Sequence, residues 1–235
     1  MILKMVLFAL LSGITVFVGG VLANVFNHHV KEKPVKYEII HGLMSFGAGI
    51  MLSAVALVLV PTGMEGLSVG VFAVVFMFGA LLFMWLDRYL AKKGGQTATL
   101  LAMMMDFIPE SIALGATFAL DVKMAMLLAV FIGLQNLPEA FNSFRDLVLS
   151  GYTTKKVLII FFFLSFCGVV GALGGHYLLA EHSYFRDVLM TFSGGGILYL
   201  LIQDIIPESK LSKNYITSLG AIAGFLVGVV GEMVI

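Results

Sequence analysis

Cysteine occurs once, at Cys167, so the chain can form no internal disulfide framework and no multi-cysteine zinc knuckle. Histidine is also scarce, with five residues, which limits imidazole ligation and leaves oxygen donors as the main resource for any metal site. Neither sign of charge is in excess: fourteen Lys and Arg balance fourteen Asp and Glu, and without a basic field a nucleic-acid partner is excluded. Charge of either sign is thin, at 12% of residues, and proline is limited to five. What fills the space is apolar. Hydrophobic residues make up 60% of the 235, and the mean hydropathy of +1.04 lies far outside the soluble range. Twenty-six glycines suit closely packed membrane helices, because small residues let backbones approach where no hydrophobic effect drives association.

A spanning helix needs about 20 mostly apolar residues to cross a hydrocarbon core of roughly 30 Å. Eight stretches of that kind are bounded by charges, running approximately over 5–26, 39–64, 66–86, 94–120, 124–144, 157–180, 188–206 and 214–235. A transmembrane barrel would instead show short segments of alternating polarity. The expected fold class is therefore all-α, a polytopic bundle of eight transmembrane helices. Lys4 before an apolar run resembles a signal peptide, but that run is as long as a span and reads as an uncleaved helix. The longest polar connection, 27–38, is too short to fold alone, so residues 1–235 read as one transmembrane domain. Alternate connections divide the basic residues unevenly. Lys31, Lys33, Lys36, Arg88, Lys92, Lys93, Arg145, Lys155, Lys156, Lys210 and Lys213 fall on one side, and Lys4, Lys123 and Arg186 on the other. The richer side is expected to be cytoplasmic and both termini extracytoplasmic.

The basic residues sort into connections, so the informative groups are carboxylates inside spans, each costing at least about 2.5 kcal/mol near the midplane. Asp106 and Glu110 lie in the fourth span, Glu139 in the fifth, and Asp204 near the cytoplasmic end of the seventh. No Lys, Arg or His shares the interior of the fourth or fifth span, so a bound cation or a proton must neutralise these acids. Their settings repeat: Asp106-Phe-Ile-Pro-Glu110, Gln135-Asn-Leu-Pro-Glu139 and Asp204-Ile-Ile-Pro-Glu208. Residues four apart share a helix face, so each of the first two pentads presents two oxygen-bearing side chains to one point. Pro109 and Pro138 are expected to kink their helices and free the carbonyls of Met105 and Leu134 as further hard ligands. Proline-kinked helices with hydrogen-bonded glutamates also occur without any transport role. The repetition of the pattern in successive spans, with no basic partner, is what separates this chain from them.

The paired pentads resemble the His-Asn-x-Pro-Glu-Gly motifs of the ZIP family of metal transporters. That resemblance extends to Gly49-Ile-Met-Leu-Ser in the second span, Gly168-Val-Val-Gly-Ala-Leu-Gly in the sixth, and the run from Gly196 to Glu208 in the seventh. It implies eight spans with both termini outside, a mid-membrane metal site of Met51, Asp106, Glu110, Gln135 and Glu139, and a cytoplasmic exit near Gln203 and Asp204. The departures are specific. Asp106 stands where relatives carry His, Phe107 where they carry Asn, Asn136 where many carry Asp, and Gly168 where a Glu is expected. Phe107 cannot ligate and Gly168 has no side chain, so the family's second metal site reduces to a remnant at Asn136, and a single site is expected.

The implied function is transport of a divalent cation into the cytoplasm. Zinc is the first candidate on the resemblance, with iron or manganese suited by an oxygen-rich donor set. Alternatives from other classes are an intramembrane metal-assisted hydrolase and a metal sensor without flux. The chain carries no HExxH, no GxSxG and no nucleophile paired with histidine within a span, so it is not read as an enzyme. No prosthetic group is expected; the metal is cargo. The partners expected are that cation and the lipid bilayer, with a homodimer as the assembly considered, and the address is the cell membrane, a bacterial inner membrane in particular. His28, His29 and His41 read as solvated loop histidines, and the fourteen methionines as packing residues apart from Met51. The glycine clusters of the second, sixth and seventh spans read as close helix contacts that would also let one bundle move against another.

Overall fold

A computed structural model describes residues 1–30, 34–179, 181–211 and 215–234. Eight helices are long and apolar enough to cross a membrane: α1 (Ile2–His29), α2 (Lys36–Gly66), α3 (Val69–Lys93), α4 (Gly95–Phe118), α5 (Val122–Leu149), α6 (Thr154–Leu179), α7 (Ser183–Ser209) and α8 (Ile216–Val234). No strand occurs among the described residues. Lys31, Lys33 and Lys213, together with the expected span limits at Ala180, Asn214 and Ile235, lie outside them.

Most of the helices are longer than the apolar runs that signal them, α4 at Gly95–Phe118 and the described part of α8 being the exceptions. α3 continues from Leu86 to Lys93 and α5 from Phe144 to Leu149, so Arg88, Lys92, Lys93 and Arg145 stand on helix ends and not in connections. Lys36 is only 7% exposed, and the Arg145 guanidinium lies 5.5 Å from the centre of the Tyr37 ring. Long basic side chains reach the interface from helical positions, so a hydropathy boundary marks the edge of the lipid core and not the end of the helix. Caps then set some of the true ends. Asp121 accepts the amide protons of Lys123 and Met124 at 2.9 and 3.0 Å, and Thr153 accepts that of Lys156 at 3.3 Å.

Of the three pentad prolines, only Pro207 follows an interruption of its helix. α4 and α5 remain helical through Pro109 and Pro138. Widened π turns occur instead in α2, where the Val60 amide bonds to the Val55 carbonyl, and in α7, where that of Ile206 bonds to Leu201. Each ends two residues before a proline, Pro61 or Pro207, and the carbonyl four residues before that proline, at Leu57 or Gln203, lies inside the widened turn. Widening there removes the clash that a proline ring makes with this carbonyl. α6 is broken once, at Ser165 and Phe166.

Two groups of four helices result. α1, α4, α5 and α6 pack on one another; in the second group α3 packs on α7, α7 on α2 and α2 on α8; and α2 against α5 with α4 against α7 and α3 joins the groups. The closest approach within the first group is at Gly115 of α4, where a Cβ would run into the carbonyl oxygen of Ala172 in α6. Gly174 of α6 has nothing within 4 Å of the same position. Gly115→Ala is therefore expected to lower the stability of the purified protein by about 1–3 kcal/mol, the usual cost of overpacking. Gly174→Ala should leave it unchanged or raise it by up to about 1 kcal/mol through helix propensity. Denaturant melts in detergent, followed by the single tryptophan at Trp85, would separate the two.

Candidate metal site

Where the two groups meet, α2, α3, α4, α5 and α7 enclose a cavity of about 440 Å³. Its floor is formed by Met51, Asp106, Gln135 and Glu139, and its mouth by Asp87, Asp146, Asp204 and Glu208 beside Gly94 and Gly95. The helix period explains the α5 wall. Gln135, Glu139, Asn142, Ser143 and Asp146 recur every three or four residues, which aligns them as one polar stripe from floor to mouth. Pro138 packs against Gly47 of α2, which brings Met51, one turn further along, to the same wall.

Below the floor the bundle is shut. Val58, Leu59, Leu114, Phe118, Leu128, Phe131 and Ile132 continue the same helices away from the mouth and are each at most 1% exposed. Access thus runs from the floor to one side only, the side of Gly94 between α3 and α4, where Lys92 and Lys93 end α3.

Asp106 is 2% exposed and accepts the Phe107 amide proton at 2.7 Å. Glu110, one turn deeper, has no exposure and accepts a hydrogen bond from Gln135 Nε2 at 2.5 Å, which ties α4 to α5 at mid-depth. The other oxygens of this pair, Glu110 Oε1 and Gln135 Oε1, are buried with no hydrogen-bond partner among the described residues. Glu139 is partly exposed to the cavity. The three acids stand close enough to repel one another when ionised. They are not gathered round one point: among the described residues no three His, Cys, Asp or Glu side chains are arranged to hold a metal ion.

The remaining residues of the expected site divide sharply. Asp204 lines the mouth, whereas Gln203 is exposed and does not line the cavity. Asn136 is 2% exposed and turned towards α1, where its Nδ2 donates to the Ser12 carbonyl at 3.4 Å. Phe107 is buried against Gly13 and Gly168, and a Cβ at Gly168 would lie 2.7 Å from its Cζ. His29 and His41 bond through Nδ1 to carbonyls of their own helices, at 2.9 and 2.7 Å, away from the cavity.

Of the mouth residues, Asp204 and Glu208 belong to the third pentad, whereas Asp87 and Asp146 lie just beyond the expected ends of the third and fifth spans; the place of Asp146 on the α5 stripe, seven residues after Glu139, is the sequence signal for it. Asp87 is also held across the mouth by the Tyr199 hydroxyl, which donates to it at 3.0 Å.

No family model matches the chain. Individual relatives do. Zinc transporter zipt-7.2 of Caenorhabditis elegans is 23% identical over 129 residues, 51% of this chain and 27% of the relative. Metal cation symporter ZIP8 of Rattus norvegicus is 28% identical over 111 residues, 47% of this chain and 23% of the relative. Zinc transporter GufA of Myxococcus xanthus is 29% identical over 135 residues, 57% of this chain and 53% of the relative. The match thus spans about a quarter of the two animal proteins and about half of the bacterial one. All three are named as transporters or symporters and none as an enzyme.

Proposed function

We propose that this chain, a divergent member of the ZIP family, carries divalent metal cations across the membrane into the cytoplasm, using Asp106, Glu110, Gln135 and Glu139 with Met51 as its mid-membrane ligands. The carrying observation is the pair of orphaned oxygens, Glu110 Oε1 and Gln135 Oε1, buried at mid-depth beside a cavity floored by two more carboxylates. A buried acceptor without a donor costs free energy that a cation removes, and a carboxylate in the membrane interior needs positive charge or a proton beside it. The arrangement is two ligand pairs on facing helices, joined before metal enters by the Gln135 to Glu110 hydrogen bond. Binding would exchange that bond for metal contacts. The departure of the ion is then guided by Asp87, Asp146, Asp204 and Glu208, whose field draws a cation from the floor to the mouth.

The Lys- and Arg-rich face that surrounds the mouth is the cytoplasmic one on the distribution of basic residues, which makes this an inward-facing conformation. The ligands are oxygen apart from the Met51 sulfur. Zinc leads on the relatives' names, and manganese or ferrous iron fits the donors at least as well. A single metal per chain follows from Phe107, which fills the space beside Gly168, and from Asn136, whose amide is engaged with α1. The test is uptake of zinc, manganese, ferrous iron and cadmium into proteoliposomes holding the full chain. Saturable uptake of at least one of them above protein-free vesicles is expected. No flux of any of the four through folded protein would sink the transport reading.

A further inference from the structure

A second depression, of about 550 Å³, lies on the outer surface between α1 and α6, away from the metal cavity. Phe17 of α1 and Leu158, Ile159, Phe162 and Phe163 of α6 form its walls, and Thr154 and Lys155 close one end. The walls are stiffened by aromatic contacts, with Phe17 against Phe162 edge-on at 5.8 Å and Phe162 against Phe166 at 5.3 Å. Phe163 follows Thr154 by nine positions, so the slot runs about 14 Å along the helix, roughly half of a hydrocarbon core.

Its two ends differ in chemistry. The deep end is hydrocarbon and aromatic. The shallow end is positive: Lys155 lines it and is exposed, the neighbouring Lys156 ammonium, outside the lining, sits 3.8 Å from the centre of the Tyr152 ring, and among the described residues no carboxylate lines the slot. Any lipid-facing groove between helices meets acyl chains, and an apolar groove alone would select none of them. A groove whose interfacial end carries cationic charge matches a ligand with an anionic head and an alkyl tail at that spacing.

We propose that the slot between α1 and α6 binds one anionic phospholipid, with its phosphate at Lys155 and one acyl chain along Phe17, Leu158, Ile159 and Phe162. A zwitterionic phospholipid offers the same chain, but its own cation opposes the lysines. The proposal is independent of the metal site, since none of these residues reaches the central cavity.

The experiment is native mass spectrometry of the full chain in detergent, titrated with phosphatidylglycerol or with phosphatidylcholine. The first phosphatidylglycerol is expected to bind about tenfold more tightly than phosphatidylcholine. Lys155→Gln should weaken it about fivefold, the value of one lysine near an anionic lipid surface. Ile159→Trp, at a position 47% exposed, keeps the charge and fills the slot; it should weaken the first phosphatidylglycerol severalfold. Millimolar glycerol 3-phosphate should not displace the lipid. Equal affinity for the two lipids, an unchanged Lys155→Gln or an unchanged Ile159→Trp would each overturn the proposal. Displacement by glycerol 3-phosphate would overturn it too, by making this a phosphate site without a chain slot.

Discussion

Glu110→Ala and Glu139→Ala are each expected to reduce cation uptake by about 100-fold or more, since loss of even a supporting group around a metal costs about 10–100-fold. The two should fail differently. Glu110 is wholly buried and accepts the Gln135 amide, so its removal leaves Gln135 with neither donor nor acceptor satisfied. Some destabilisation of the metal-free protein, about 1–3 kcal/mol, should accompany the loss of flux. Glu139 faces the cavity and, among the described residues, holds no hydrogen bond that ties two helices, so Glu139→Ala should lose flux with the metal-free melting point almost unchanged. Removing one of three mutually repelling acids also offsets part of any packing loss. Thermal melts with and without metal give the second readout. A ligand that binds only the folded chain adds about 2.7 kcal/mol at 100 times its Kd, and that increment should vanish in both variants. Flux retained in Glu139→Ala would remove the floor of the cavity from the transport path.

The sequence carried the membrane architecture because hydropathy over a span is a sum of many residues, and no single side chain can overturn it. The eight apolar runs and the eight helices therefore agree in number and order, while their limits differ by up to seven residues, as at Leu86 against Lys93. Limits depend on caps and on how far a lysine reaches, which hydropathy does not sense. The paired acids of α4 and α5 were legible as well, since spacing of four fixes which residues share a face. Their mutual arrangement was not. Whether Glu110 meets Gln135 or Glu139 depends on the rotation of α4 against α5, which the packing of Pro138 on Gly47 and of Gly115 on Ala172 settles through contacts between distant segments. The same limit hid the mouth of the cavity. Asp87 and Asp146 look like ordinary interfacial charges until α3 and α5 are placed beside α7. The prolines of the spans differ in a way the local sequence does not signal: all four remove an amide donor, yet among the described residues the turn widens only in α2 and α7.

A double-mutant cycle on Phe107 and Gly168 tests whether the ring and the glycine form one packed unit. Phe107→Ala empties the space between α1, α4 and α6, and is expected to cost about 3 kcal/mol, the low end for phenylalanine truncation. The low end applies because lipid is as apolar as the interior, so packing is lost without a transfer term. Gly168→Ala alone places a methyl 2.7 Å from the Phe107 ring and against an α1 carbonyl at 3.4 Å, and should cost about 1–3 kcal/mol. In the Phe107→Ala background the same methyl meets an opened space and should cost close to nothing, or stabilise. The coupling expected is therefore at least about 1 kcal/mol, beyond the additivity error of independent sites. Additive effects would mean that the ring and the glycine are not complementary. Flux should survive in all three variants, because Phe107 does not line the metal cavity, and calorimetry should still count one metal per chain. Phe107 and Gly168 then have a physical reading: a ring buried against two glycines holds α1, α4 and α6 together.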